Sequence, residues 1–167
     1  IADTFDYIPN TDSFFAAAQS LGFATIQLAN IFKNHNFDLV IILGDRIELL
    51  SIVQNAILFK KVIVHLNGGE KTEGAMDEQI RHMVSKVSHL HFVSCQAYAD
   101  NLSALGENSW RVHNVGSLAA SNLTNMVILD RKELFTRFEL NPELETILMT
   151  YHPVTLENSI SATDQVL

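Results

Sequence analysis

The sequence predicts an α/β fold built on a parallel sheet. Three observations carry that prediction: short continuous apolar runs rich in β-branched residues, helical segments between most of them, and glycines just past several of the runs. Apolar runs that do not alternate mark strands covered on both faces, the usual condition of a parallel sheet. Strands that alternate with helices read as stacked βαβ units.

Taken in order, residues 13–34 form a long segment rich in Ala, Leu, Ile and Phe, expected to be helical with Gly22 as a point of interruption. The runs DLVIIL (38–43), VIVHL (62–66), LHFVS (90–94), RVHNV (111–115) and TILMT (146–150) are expected as five strands. Helices are expected over 47–59, 76–87 and 97–105. In the helix from Met76, residues Ile80, Met83, Val84 and Val87 follow the i, i+3, i+4, i+7 spacing of a buried stripe. Trp110 and the phenylalanines are assigned to the core, and Cys95 is read as a structural cysteine.

Composition narrows the class of function. The 167 residues are 47% hydrophobic and 18% charged, and 11 Lys and Arg against 19 Asp and Glu leave a formal charge of −8. The longest basic runs are the pairs Lys60–Lys61 and Arg131–Lys132, so no nucleic-acid partner is expected. No apolar stretch approaches the ~20 residues that span a bilayer, and no membrane association is expected. The single cysteine excludes an internal disulfide framework and suits a reducing, cytoplasmic setting.

Six of the seven glycines fall between Gly44 and Gly116, mostly past the ends of expected strands and beside ionisable residues. Ligands of open parallel sheets bind outside the carboxyl ends of the strands. The first strand ends in Gly44-Asp45-Arg46, which offers a carboxylate and an anion clamp, or simply an Asp helix cap with an Arg partner. The second runs through His65 and Asn67, on one face by alternation, into Gly68-Gly69-Glu70. In the helix that follows, Asp77 and Arg81, and likewise Glu78 and His82, are four residues apart and are expected to pair. The His89-Leu90-His91 pair invites a metal reading with His65 or His82, but its spacing reproduces no known metal signature, and no metal is expected. His152 closes the fifth expected strand.

Read together, GDR-x-E at 44–48, GGE-x-TEG at 68–74, DE-x-IRH at 77–82, SHLHFVS at 88–94, NVG at 114–116 and HPVT at 152–155 form a distinctive ordered set. The set resembles the hydrolysing UDP-N-acetylglucosamine 2-epimerases that open sialic acid and related nonulosonate pathways. The resemblance implies a two-domain, GT-B-like fold of Rossmann-like layers with the active site in the cleft between domains. On that template residues 1–142 are expected to be the larger part of the N-terminal domain, and 143–167 the start of the nucleotide-binding domain. The start at Ile1 and the stop at Leu167 then fit a truncated chain, expected to be inactive by itself.

The resemblance further implies anti elimination of UDP from UDP-N-acetylglucosamine, then hydration of the resulting glycal to N-acetylmannosamine. Position by position, Asp45, Asp77 and His152 match catalytic residues, and Arg46, His65, Asn67, Gly68, Gly69, Arg81 and His82 match substrate-binding ones. Asn67 departs from the pattern, since several relatives carry a catalytic Glu there and an amide exchanges no proton near neutral pH. Glu70 is expected to take that role. The resemblance implies a UDP-sugar substrate, no organic cofactor, and a homo-oligomer, dimer or tetramer, at full length. The alternatives are the same chemistry on a UDP-diacetamido-trideoxy sugar of legionaminic acid synthesis, a non-hydrolysing 2-epimerase, or a non-catalytic fragment.

Overall fold

The structure is a computed structural model, and it describes Asp6 and residues 13–150. Among these residues the chain divides after Gly116 into two compact units. The first contains α1 (Phe14–Asn34), β1 (Leu39–Leu43), α2 (Leu49–Leu58), β2 (Val62–Leu66), α3 (Met76–Val87), β3 (Leu90–Val93), α4 (Gln96–Ala104) and β4 (Val112–Asn114). A single 3-10 turn, Ser109–Arg111, precedes β4. The second unit contains α5 (Leu118–Asn125) and α6 (Arg131–Arg137).

The four strands form one parallel sheet in the order β1-β2-β3-β4. Its register sets Ile42 beside His65, and His65 beside His91. Right-handed crossovers between strands laid down in sequence place their helices on one face. The packing agrees. Ile42 and Ile63 meet Leu49, Val53 and Ala56 of α2, Ile80 and Val84 of α3, and Phe32 of α1 in one core cluster. Val93 packs with Ala99 and Leu102 of α4 in a second cluster. Leu39, Ile41, Leu43 and Val62, on the reverse face, are exposed. The expectation of strands covered on both faces is therefore met only in part among the described residues: β1 exposes its reverse face, whereas Val64 of β2, on that same face, is buried.

Helix α1 runs unbroken through Gly22, started by Ser13, whose Oγ accepts from the Ala16 amide. At 21 residues it is long and apolar enough, by length and composition, to cross a membrane, contrary to the sequence reading. It nonetheless packs on α2: Ser51 Oγ donates to the Leu21 carbonyl at 3.1 Å, and Asn55 Nδ2 to the Thr25 carbonyl at 3.1 Å.

Helix α3 has the expected ends, but its buried face is Ile80, Arg81, Val84 and Ser85, and Met83 is exposed. The stripe is rotated from the purely apolar one because Arg81 and Ser85 have polar partners inside. Trp110 lies exposed in the 3-10 turn rather than in the core, as do Phe14, Phe15 and Phe23 on α1. Cys95 is half-buried and stands at the N-terminus of α4. The fifth expected strand, 146–150, is irregular and exposed. A strand needs a neighbour for its ladder, and no described strand pairs with it.

Candidate active site

The carboxyl ends of β1 and β2 and the first turns of α3 meet at one edge of the sheet. There Arg81, although on the buried face of α3, collects four acceptors. Its Nη2 donates to the Asp45 carboxylate and, at 2.8 Å, to Thr72 Oγ1. Its Nη1 donates to the Glu70 carbonyl at 2.7 Å and to Glu78 Oε2 at 3.1 Å. Glu78 in turn accepts from the Thr72 amide at 2.6 Å and lies 3.3 Å from His82 Nε2. One guanidinium thus ties together the turn after β1, the loop after β2 and the first turns of α3. The planar fork of arginine suits such divided bonding.

Asp77 is half-buried in the first turn of α3, but the ion pairs of Arg81 go to Asp45 and Glu78. The expected Asp77–Arg81 pair is replaced by one reaching across the sheet edge, whereas the expected Glu78–His82 pair forms. Arg46 is well exposed and clasped by Glu48 at 3.0 Å.

The loop after β2 fits tightly against α4. Gly69 has φ +79°, and a Cβ there would stand 2.3 Å from the Tyr98 carbonyl oxygen, so only glycine is accommodated. Its own carbonyl accepts from Asn101 Nδ2 at 2.8 Å. Asn67 takes a left-handed conformation (φ 60°) that asparagine tolerates better than most residues. On its outer side the loop opens on a cavity of about 220 Å³ lined by Glu70, Lys71, Glu78, His82 and Asn101 among others.

His65 is 0% exposed and lies beneath this rim rather than on it. Burial is the main cause that lowers its pKa. Arg81, 2% exposed, is likewise engaged from within. The side chain of Asp45 is 26% exposed, so the carboxylate that Arg81 holds still meets solvent. Asp45, Arg46, Glu70, Asp77 and His82 thus stand on or beside the rim, with His65, Gly68 and Arg81 behind it. His152 lies outside the described residues.

A second charged cluster sits at the opposite, amino edge of β3 and β4. Buried Glu107 takes Lys86 Nζ at 2.8 Å and Arg111 Nη1 at 3.0 Å, and lies 3.5 Å from His91 Nε2. Arg111 also donates to the carbonyls of Ser88 and His89. His91 is pushed down to about 4, chiefly by burial. Burial alone raises Glu107, but the hydrogen bond from Lys86 and the charges of Lys86 and Arg111 outweigh it, so its pKa is lowered. His89 Nδ1 accepts from the Ile63 amide at 3.1 Å. Sequence reasoning missed Glu107, Arg111 and Ser85. Polar Arg81, Ser85 and Ser88, set at helical spacing among apolar residues, were the signal available for that face.

The class that the structure defines is a Rossmann-like α/β domain, with an acidic and cationic rim at the ends of its parallel strands. Residues 1–167 match the family model described as UDP-N-acetylglucosamine 2-epimerase, and the chain belongs to that family. It is 43% identical over 145 residues to the GDP/UDP-N,N'-diacetylbacillosamine 2-epimerase (hydrolyzing) of Campylobacter jejuni, a match covering 87% of this chain and 38% of that protein. It is 33% identical over 140 residues to the UDP-N,N'-diacetylbacillosamine 2-epimerase (hydrolyzing) of Legionella pneumophila, covering 84% and 37%. Among solved structures, the Neisseria meningitidis UDP-GlcNAc 2-epimerase bound to UDP-GlcNAc superposes with a TM-score of 0.64 at 19% identity, over 78% of this chain and 37% of that one. The chain therefore spans well under half the length of these relatives.

Proposed function

We propose that this chain is part of a hydrolysing 2-epimerase whose substrate is a UDP-linked diacetamido-trideoxy sugar of the N,N'-diacetylbacillosamine type. UDP-N-acetylglucosamine, placed first by the sequence motifs, becomes the second choice. The observation that carries this order is the 43% identity to the Campylobacter jejuni enzyme, against 33% over 120 residues to the Neisseria meningitidis UDP-N-acetylglucosamine 2-epimerase. In the proposed architecture residues 1–142 are the larger part of an N-terminal domain and 143–167 begin a nucleotide-binding domain. The catalytic cleft lies between them in a GT-B-like arrangement, within a cytoplasmic homo-oligomer.

The chemistry asks for a base at the sugar C2 proton, help for the departing diphosphate, and an acid that returns a proton to C2 after elimination. Asp45 is suited to one proton-transfer role, because Arg81 fixes its direction while part of the carboxylate faces solvent. Asp77, one strand end away in the first turn of α3, is the second carboxylate, and Glu70 stands where the loop opens outward. Arg46 at the rim supplies positive charge toward the leaving diphosphate, and His152, which lies outside the described residues, is kept as a catalytic residue on the family resemblance. Asn67, Gly68 and Gly69 shape the loop against which the sugar lies.

The test is incubation of the full-length protein with each UDP-sugar in D2O. Release of UDP together with a free 2-epimerised diacetamido sugar carrying deuterium at C2 is the expected result. Faster turnover of UDP-N-acetylglucosamine to N-acetylmannosamine would overturn the substrate choice, and a product that keeps its UDP would overturn the hydrolytic reading.

A further inference from the structure

We propose that Ser85 and His65 are a buried positioning pair that fixes the backbone of the Asp45 turn, a role that rests on the catalytic reading of Asp45 given above. His65 Nε2 lies 2.8 Å from the Gly44 carbonyl oxygen. A carbonyl only accepts, so the ring proton sits on Nε2. A neutral ring then presents Nδ1 as an acceptor, and Ser85 Oγ lies 3.3 Å from it, placed to donate. The fully buried ring is thereby held at both nitrogens in one tautomer.

The Gly44 carbonyl belongs to the peptide unit that ends at the Asp45 nitrogen. Orienting that plane sets the direction in which the Asp45 side chain leaves the rim. Helix α3 consequently grips the same residue twice from positions one turn apart: Arg81 takes the carboxylate, and Ser85, through His65, holds the preceding peptide. The loop after β2 rests on the pair as well. A Cβ at Gly68 would come within 2.9 Å of His65 Nδ1 and 3.3 Å of Ser85 Oγ. One two-residue device thus sets the height of both turns that carry rim residues. His65 acts on substrate through Asp45 and does not touch it.

In the full-length protein, His65→Phe is expected to lower kcat by about 10- to 100-fold with KM changed by less than about twofold, the signature of a misplaced reacting group. His65→Gln, which keeps an N–H near the Nε2 position, is expected to recover most of that loss. Ser85→Ala is expected to lower kcat by about 3- to 10-fold. Nitrogen-15 spectra of the histidine rings are expected to show His65 in the Nε2–H form, with its Nδ1 resonance moved in Ser85→Ala. The Nδ1–H tautomer, an unmoved Nδ1 resonance, or a folded His65 variant that loses KM and not kcat would overturn the proposal. If the wild-type protein turns over no UDP-sugar, the catalytic reading fails separately. The pair is then decided by the Asp45 amide and carboxyl resonances, which must move in Ser85→Ala and His65→Gln if the pair holds that turn.

Discussion

Arg81 reaches back 36 residues along the chain to hold the Asp45 carboxylate, across the junction of β1 and α3. Two further acceptors, the Glu70 carbonyl and Thr72 Oγ1, share the same guanidinium, and Glu78 completes the set. Removing the buried guanidinium leaves the Glu70 carbonyl and two partly exposed carboxylates without the donor they share. Arg81→Met is therefore expected to cost about 3–5 kcal/mol of stability. Arg81→Lys is expected to recover only part of it, since an ammonium cannot divide its bonds in the same plane. Urea unfolding checks both, and an unchanged midpoint for Arg81→Met would rule out the clasp.

Asp45→Asn keeps an oxygen for Arg81 but cannot exchange a proton near neutral pH. In the full-length enzyme kcat is expected to fall by about 10²- to 10⁴-fold, with stability affected far less than in Arg81→Met. Asp77→Asn is expected to behave alike. Steady-state rates of UDP release settle each, and a near-normal rate removes that residue from the catalytic set.

Acid is expected to loosen the amino edge of the sheet. His91 has its folded pKa lowered to about 4, so the unfolded chain binds the extra proton as the pH falls below about 6.5, the ordinary histidine value. Stability from this group is full above that value and is lost progressively toward pH 4. Glu107 acts in the same direction at the acid end, its lowered pKa giving stability that disappears as its carboxylate protonates. Denaturant midpoints measured from pH 7 down to 4 should fall, and His91→Asn should flatten the slope. A slope unchanged by His91→Asn would exclude His91 as its source.

Two glycines should respond oppositely to alanine. Gly69→Ala meets the Tyr98 carbonyl and a left-handed backbone, and is expected to cost about 2–4 kcal/mol. Gly22 lies inside α1 with nothing within 4 Å of an added Cβ, so Gly22→Ala is expected to stabilise by about 0.5–1 kcal/mol. Thermal unfolding of the two variants tests the contrast.

The 167-residue chain by itself is expected to release no UDP from either UDP-sugar, because it spans only 38% of its Campylobacter jejuni relative and the proposed cleft needs a second wall. Measurable turnover by this chain would show that the first strand ends suffice.

Local pattern made much of this fold legible. The ends of α3 and the positions of β1, β2 and β3 follow from apolar runs bounded by glycine or polar residues. Short α5 and α6 escaped because they bury little, even though Ser117 caps the first and Asp130 with Glu133 forms a capping box on the second. The run at 146–150 has the composition of a strand, but composition does not supply a pairing partner. The rim was legible as a set of residue types at strand ends; its bonding was not. Spacing along α3 suggested Asp77 for Arg81, whereas packing brought Asp45, and packing alone turned His65 and Ser85 inward.

The consecutive strand order also keeps the sheet's closures local. Among the described residues each strand pairs with the one before it in the chain, so the loops to be closed are of similar, modest length. The Asp45 turn is held from α3, 36 residues further along, by Arg81 directly and by Ser85 through His65. The rim is thus tied together by a helix that follows, in the chain, both turns it holds.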